Sequence, residues 1–70
     1  MKMTYDPEVD AAYISFKKRK KVEVTCVQIT EDIAIDFGRG ERVMGIEILD
    51  ASKHLGFPKG KPQVDLKILQ

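Results

Sequence analysis

Apolar residues return at every second position along most of this chain, and that period constrains its fold more than any other feature. Ala12, Ile14 and Phe16 fall on one side of an extended backbone, with Ala11, Tyr13 and Ser15 on the other, which is the pattern of a half-buried strand. Val22, Val24 and Cys26 alternate with Glu23 and Thr25. The phase then slips to Val27 and Ile29, and a β-bulge at Cys26-Val27 is expected to absorb the slip. Glu31-Asp32 reads as a turn, and Ile33, Ile35 and Phe37 define a further strand opposite Ala34 and Asp36. Gly38-Arg39-Gly40-Glu41 is a hairpin signal, because glycine supplies the positive φ that tight connections demand. From Arg42 to Leu49, Met44, Ile46 and Ile48 share one face and Val43, Gly45, Glu47 and Leu49 the other.

The two ends follow different rules. Lys2 to Tyr5 reads as a short first strand, and Asp6-Pro7-Glu8 as a turn with proline at a favoured position. Asp50 to Leu55 predicts one or two helical turns with an Asp or Ser cap, stopped at Gly56. Beyond it, Phe57-Pro58-Lys59-Gly60-Lys61-Pro62 holds two prolines and a glycine and is expected to run as an extended connector. Alternation resumes at Val64, Leu66 and Ile68, so the tail is expected to form an edge strand or to pair with another chain. The expected fold is α+β and mainly β. It is an antiparallel meander of about four strands with hairpin turns, one short helix after Asp50 and an extended tail. Residues 1–70 form one domain in this reading, with the core in about 1–56 and the connector and tail in 57–70. Composition supports the strands, since Val and Ile number 13 against 8 for Ala and Leu, and β-branched side chains suit a pleated surface.

Seventy residues make a marginal core. Area scaling gives an unfolded surface of roughly 11,500 Å² and a compact folded one of roughly 4,400 Å². If about 60% of the difference is apolar, burial contributes roughly 105 kcal/mol, against an ordering entropy of roughly 105 kcal/mol at about 1.5 per residue. A chain so balanced ordinarily needs a staple. One cysteine, Cys26, cannot close an intramolecular disulfide, and one histidine, His54, cannot complete a Cys/His zinc site. Association is the staple left. A single short helix cannot cover both faces of the sheet, and the faces opposite the core carry Val43, Leu49, Val27 and Tyr13, so a homodimer is expected. Cys26 reads as a small core residue rather than a reactive thiol. A lone cysteine, with no secretory segment after Met1 and no apolar run of about 20 residues, points to a cytoplasmic, non-membrane setting.

Two segments carry a family resemblance: Tyr5-Asp6 followed by Asp10-Ala11-Ala12-Tyr13-Ile14, and Gly40 to Ser52, most specifically Gly45-Ile46-Glu47-Ile48-Leu49-Asp50-Ala51-Ser52. Over about Met3 to Ser52 the chain resembles the prokaryotic family known as domain of unknown function 2283. The resemblance implies a small β-rich domain of bacteria and archaea without an assigned activity. Some members of that family resemble the smaller partner in two-gene units beside a toxin-like, nuclease-fold protein.

Several residues invite chemistry. Lys17, Lys18, Arg19, Lys20 and Lys21 form an unbroken cationic run that could bind phosphate oxygens and release counterions. Without it the chain keeps 7 cations against 11 acids, so the near-neutral total of +1 hides a polarised molecule. The run also sits where a solvated hairpin loop should join Phe16 to Val22, and no aromatic residue interrupts it to stack on bases. Any nucleic-acid binding would be directed at the backbone and weak. Asp6, Glu8 and Asp10 have the spacing of the first calcium-loop ligands, but Ala11 and Lys17 stand where such a loop needs Gly and Glu. A turn in which Asp6 or Asp10 accepts backbone N–H bonds is the favoured reading. Glu47, between Ile46 and Ile48, either faces solvent, pairs with a cation such as Arg42, or lines a shallow pocket. Acid-base work there would need a second carboxylate or a histidine nearby. His54, beside Lys53 near a helix C-terminus, reads as structural or solvated. Ser15 and Ser52 lack a nucleophile elbow, and the Gly-x-Gly at Gly38 to Gly40 lacks the rest of a dinucleotide site. No catalytic constellation assembles. The expectation is a non-enzymatic, dimeric protein-interaction module without cofactor or metal, antitoxin-like in its most specific form. The alternatives are a weak nucleic-acid binder through Lys17 to Lys21 and a small ligand-binding or hydrolytic protein around Glu47.

Overall fold

The computed structural model describes residues 1–16 and 23–64. Five strands, β1 (Lys2–Asp6), β2 (Ala11–Ser15), β3 (Thr25–Gln28), β4 (Ile33–Phe37) and β5 (Val43–Ile48), are followed by one helix, α1 (Ala51–Leu55). Every pairing is antiparallel, and the strands lie in one sheet in the order β1-β2-β5-β4-β3. The mainly β, antiparallel architecture is the expected one. Its order adds a feature that the alternation does not reveal: β5 inserts between β2 and β4, so β2 to β5 form a Greek key. β2 and β3 are separated by β5 and β4, so these two strands do not pair with each other as the expected hairpin would have them do. The run Lys17 to Lys21 itself lies outside the described residues, as does the tail from Asp65 onward.

The register sorts the side chains into two faces. Cross-strand pairs Tyr5↔Ala12, Ala12↔Ile48 and Ile48↔Ile33 form one apolar row, and Met3↔Ile14, Ile14↔Ile46, Ile46↔Ile35 and Ile35↔Val27 form the next. Helix α1 covers the first row: Ala51 is fully buried against Ala12 and Ile48, with Phe57 closing the side. The second row is only half-buried, and Val27 on the outermost strand is exposed. Val27 thus extends the apolar face instead of standing opposite it. The reverse face carries Thr4, Tyr13, Glu47, Ala34 and Gln28 in one row and Ser15, Gly45, Asp36 and Cys26 in another.

Two local expectations are corrected. No bulge falls at Cys26-Val27: β3 pairs with β4 in unbroken register from Thr25↔Phe37 to Gln28↔Ala34. The strand begins only at Thr25, so Val24 is not part of its alternation and no slip falls within the strand. The irregularity lies instead between Asp36 and Phe37, where β4 leaves β5 toward the turn. Cys26 is exposed and not a core residue, because β3 is an edge strand whose residues are all exposed.

The turns use their residues as the sequence suggests. A 3₁₀ turn at Arg39–Glu41 joins β4 to β5, with Gly40 at φ 66°. The Gly38 N–H donates to the Arg42 carbonyl at 2.7 Å and closes it. Gly56, at φ 71°, stops α1, and its N–H reaches the Ser52 carbonyl at 2.9 Å.

Candidate functional site

Asp10 is the one buried charged residue among those described. It ends the β1–β2 turn in the left-handed region, φ 52°, which Asp tolerates better than most residues. That geometry brings its carboxylate under the start of α1. The Ser52 hydroxyl donates to it at 2.7 Å and the Ser52 N–H at 3.2 Å, while the Asp10 carbonyl accepts from the Ala51 N–H at 2.8 Å. From the other side the Tyr5 hydroxyl donates to the carboxylate at 2.6 Å and accepts from the Gly60 N–H at 3.0 Å. Tyr5 also meets Phe57 edge to face, with ring centroids 5.3 Å apart. One carboxylate therefore ties together the first turn, the helix start and the connector.

The helix cap is thus supplied from 42 residues upstream. Asp50 does occupy the N-cap position, but in a left-handed conformation with no side-chain cap bond. The expectation of an Asp or Ser cap within the helix segment named the position correctly and the capping group wrongly. The donor set determines the chemistry of Asp10. Hydrogen bonds from Tyr5 first, and then from Ser52, hold its carboxyl below the ordinary aspartate value. The bond to Asp10 in turn pushes the Tyr5 phenol up. A saturated, depressed carboxylate is a poor general base, so Asp10 with Ser52 is a structural knot rather than a nucleophile pair.

The reverse face holds the second polar grouping. Tyr13 on β2 lies across Gly45 on β5, and its hydroxyl donates to Asp36 on β4 at 2.8 Å. A side chain at Gly45 would collide with the tyrosine hydroxyl, so glycine is what lets the ring span the strand. Asp36 also accepts from the Cys26 thiol opposite it on β3, and that bond first, then desolvation, raises the thiol pKa. A protonated thiol is a weak nucleophile, so exposure here does not mean reactivity.

Glu47 is exposed beside Tyr13 and lines an open depression of about 320 Å³ with Thr4, Asp6, Val9 and Leu49. Of the three expected situations for Glu47, solvent exposure and a shallow pocket hold together. The acidic trio separates. Asp6 accepts the Glu8 N–H at 3.0 Å in a local turn, and Asp10 turns inward. No group of three or more His, Cys, Asp or Glu among the described residues is placed to hold a metal ion. His54 pairs with Asp32 at 2.8 Å and so fastens α1 to the β3–β4 turn, the structural role expected of it. The Asp10 and Asp36 partnerships escape sequence reasoning, because neither spacing nor alternation reveals which distant donor meets which carboxylate.

No helix among the described residues is long and apolar enough to cross a membrane. No curated protein and no solved structure matches the chain significantly. The family that carries the earlier resemblance does match, and across the elements that hold both groupings, from β1 through the start of α1. With residues 2–52 of its 70 matched, the chain belongs to the family described as protein of unknown function DUF2283.

Proposed function

We propose that the protein is a non-enzymatic interaction module that works as a homodimer and binds a further protein partner in a reducing compartment such as the cytoplasm. The observation that carries this reading is the uncovered sheet. One helix of five residues covers only one row of the apolar face, and Phe16, Val27, Ile29 and Leu55 are left 39–55% exposed. Val43 and Leu49 are exposed as well. The polar groupings support the same reading, since both are tied up in hydrogen bonds that hold the fold. In its most specific form the module is an antitoxin-like subunit, in keeping with the two-gene units that the family resemblance implies. Size-exclusion chromatography with light scattering tests the dimer: a mass twice 7.9 kDa at low micromolar concentration supports it, and 7.9 kDa overturns it.

A second reading has its own observation. The five consecutive cations Lys17 to Lys21 stand against a remainder with 7 cations and 11 acids, a polarity suited to backbone-directed nucleic-acid binding. An electrophoretic shift at low salt, lost when the five are changed to Ser, is its test.

A further inference from the structure

We infer that the outer edge of β3 is where a second copy of this chain pairs, strand against strand and antiparallel, so that the two sheets become one across a twofold axis. This rests on the dimer reading and specifies its surface. Among the described residues β3 is an edge strand, and Thr25 to Gln28 are all exposed, with Ile29 beyond them 55% exposed.

The backbone directions follow from one bond. The Ile29 N–H donates to the Ile33 carbonyl across the hairpin at 2.8 Å, so alternation along an antiparallel ladder commits Thr25, Val27 and Ile29 to β4. Cys26 and Gln28 then direct their N–H and C=O groups outward. Exposed edges are ordinarily blunted by charge, proline or a bulge. Thr25-Cys26-Val27-Gln28-Ile29 contains no charge and no proline, and its pairing with β4 is regular. The opposite edge is different: β1 carries Lys2 and Asp6, runs into Pro7, and has the connector docked on it through Tyr5, Phe57 and Gly60.

The strand is also complementary to itself. An axis through Val27 sets Val27 against its copy as a non-hydrogen-bonded pair. Cys26 then faces Gln28 of the second copy, and the outward groups of both strands close two hydrogen-bonded pairs. Thr25 faces Ile29, and no like charges meet within Thr25 to Ile29. The half-buried row Ile14, Ile46, Ile35, Val27 continues without interruption into the same row of the second copy, which places the exposed valine at the centre of one continuous apolar strip.

Three variants test the assignment by light scattering, with far-UV circular dichroism to confirm folding. Gln28→Pro removes an N–H that the β4 ladder does not use, and so deletes two of the four intersubunit bonds, weakening the dimer about tenfold or more. Val27→Lys sets two cations against each other on the axis. Val27→Cys in a Cys26→Ser background places two thiols at a non-hydrogen-bonded pair about 4.5 Å apart at Cα, within disulfide reach. The expected results are a shift toward monomer in the first two variants and a covalent dimer on mild oxidation of the third. A folded Val27→Lys variant that remains as dimeric as the parent, with no covalent dimer from the third, overturns the edge assignment alone. A monomeric parent overturns the dimer reading together with it.

Discussion

Gly45→Ala should destabilise the protein, although an alanine inside a strand ordinarily stabilises relative to glycine. The added Cβ would stand 2.5 Å from the Tyr13 Cζ and 3.1 Å from the Ile14 carbonyl oxygen, and it would overlap the tyrosine hydroxyl. Tyr13 has to swing away, which breaks its 2.8 Å bond to Asp36. A hydrogen bond to a charged acceptor contributes about 1.5–3 kcal/mol, and the lower end applies to this half-buried pair. Displacing the ring from the sheet adds about 1 kcal/mol for about 40 Å² of re-exposed apolar surface. Against this, alanine returns about 0.5–1 kcal/mol of strand propensity. The net cost is about 1.5–2 kcal/mol, or a fall in Tm of roughly 6–16 °C for a domain of this size. Thermal denaturation at fixed protein concentration measures it. In a Tyr13→Ala background the obstruction is gone, and Gly45→Ala should become neutral or stabilising, so the double-mutant cycle should show strong coupling. If Gly45→Ala is as stable as the parent while Tyr13 is intact, the account of the reverse face is wrong.

Other perturbations probe the remaining groupings. Asp10 titrates below the ordinary 3.8, so it stabilises the fold above that pH, and the contribution is lost as pH falls through its folded value. Asp10→Asn should therefore melt lower than the parent at pH 7 and lose less on acidification to pH 2.5. Equal acid sensitivity of the two proteins would count against the knot. Cys26 should react slowly with iodoacetamide at pH 7.5 for an exposed thiol and faster in Asp36→Asn, because the bond its thiol donates to the Asp36 carboxylate holds it protonated; an unchanged rate would contradict that cause. Lys17 to Lys21 should give at most a salt-sensitive nucleic-acid shift that vanishes at physiological ionic strength, and a complex surviving there would favour the second reading.

The period-2 pattern makes four of the strands legible with nearly their observed bounds, because alternation is a local property of each segment, whereas β3, expected from Val22 with a bulge at Cys26-Val27, begins at Thr25 and is regular. Gly56 and Gly40 were legible for the same reason, since left-handed backbone is a demand on a single residue. The order of strands was not, for nothing local to Val43–Ile48 says that it inserts between Ala11–Ser15 and Ile33–Phe37. Cys26 was misplaced by that same gap, because burial depends on whether a strand lies at an edge. Asp10 reads in the sequence as one of three spaced acids, and its turn chemistry was visible. Its role as the cap of a helix 42 residues away was not, since that depends on where the left-handed turn points the carboxylate. Glu47 was legible as an oddity in an apolar strand, and its exposure on the reverse face follows from parity alone.

The central claim is that this sheet has too little chain to cover itself and depends on a second copy. The dependence of Tm on protein concentration tests it most directly, because coupling folding to dimerisation makes stability follow mass action. The account predicts that Tm rises steadily between low and high micromolar concentration. A Tm that stays constant across that range would show a monomer stable on its own and would contradict it.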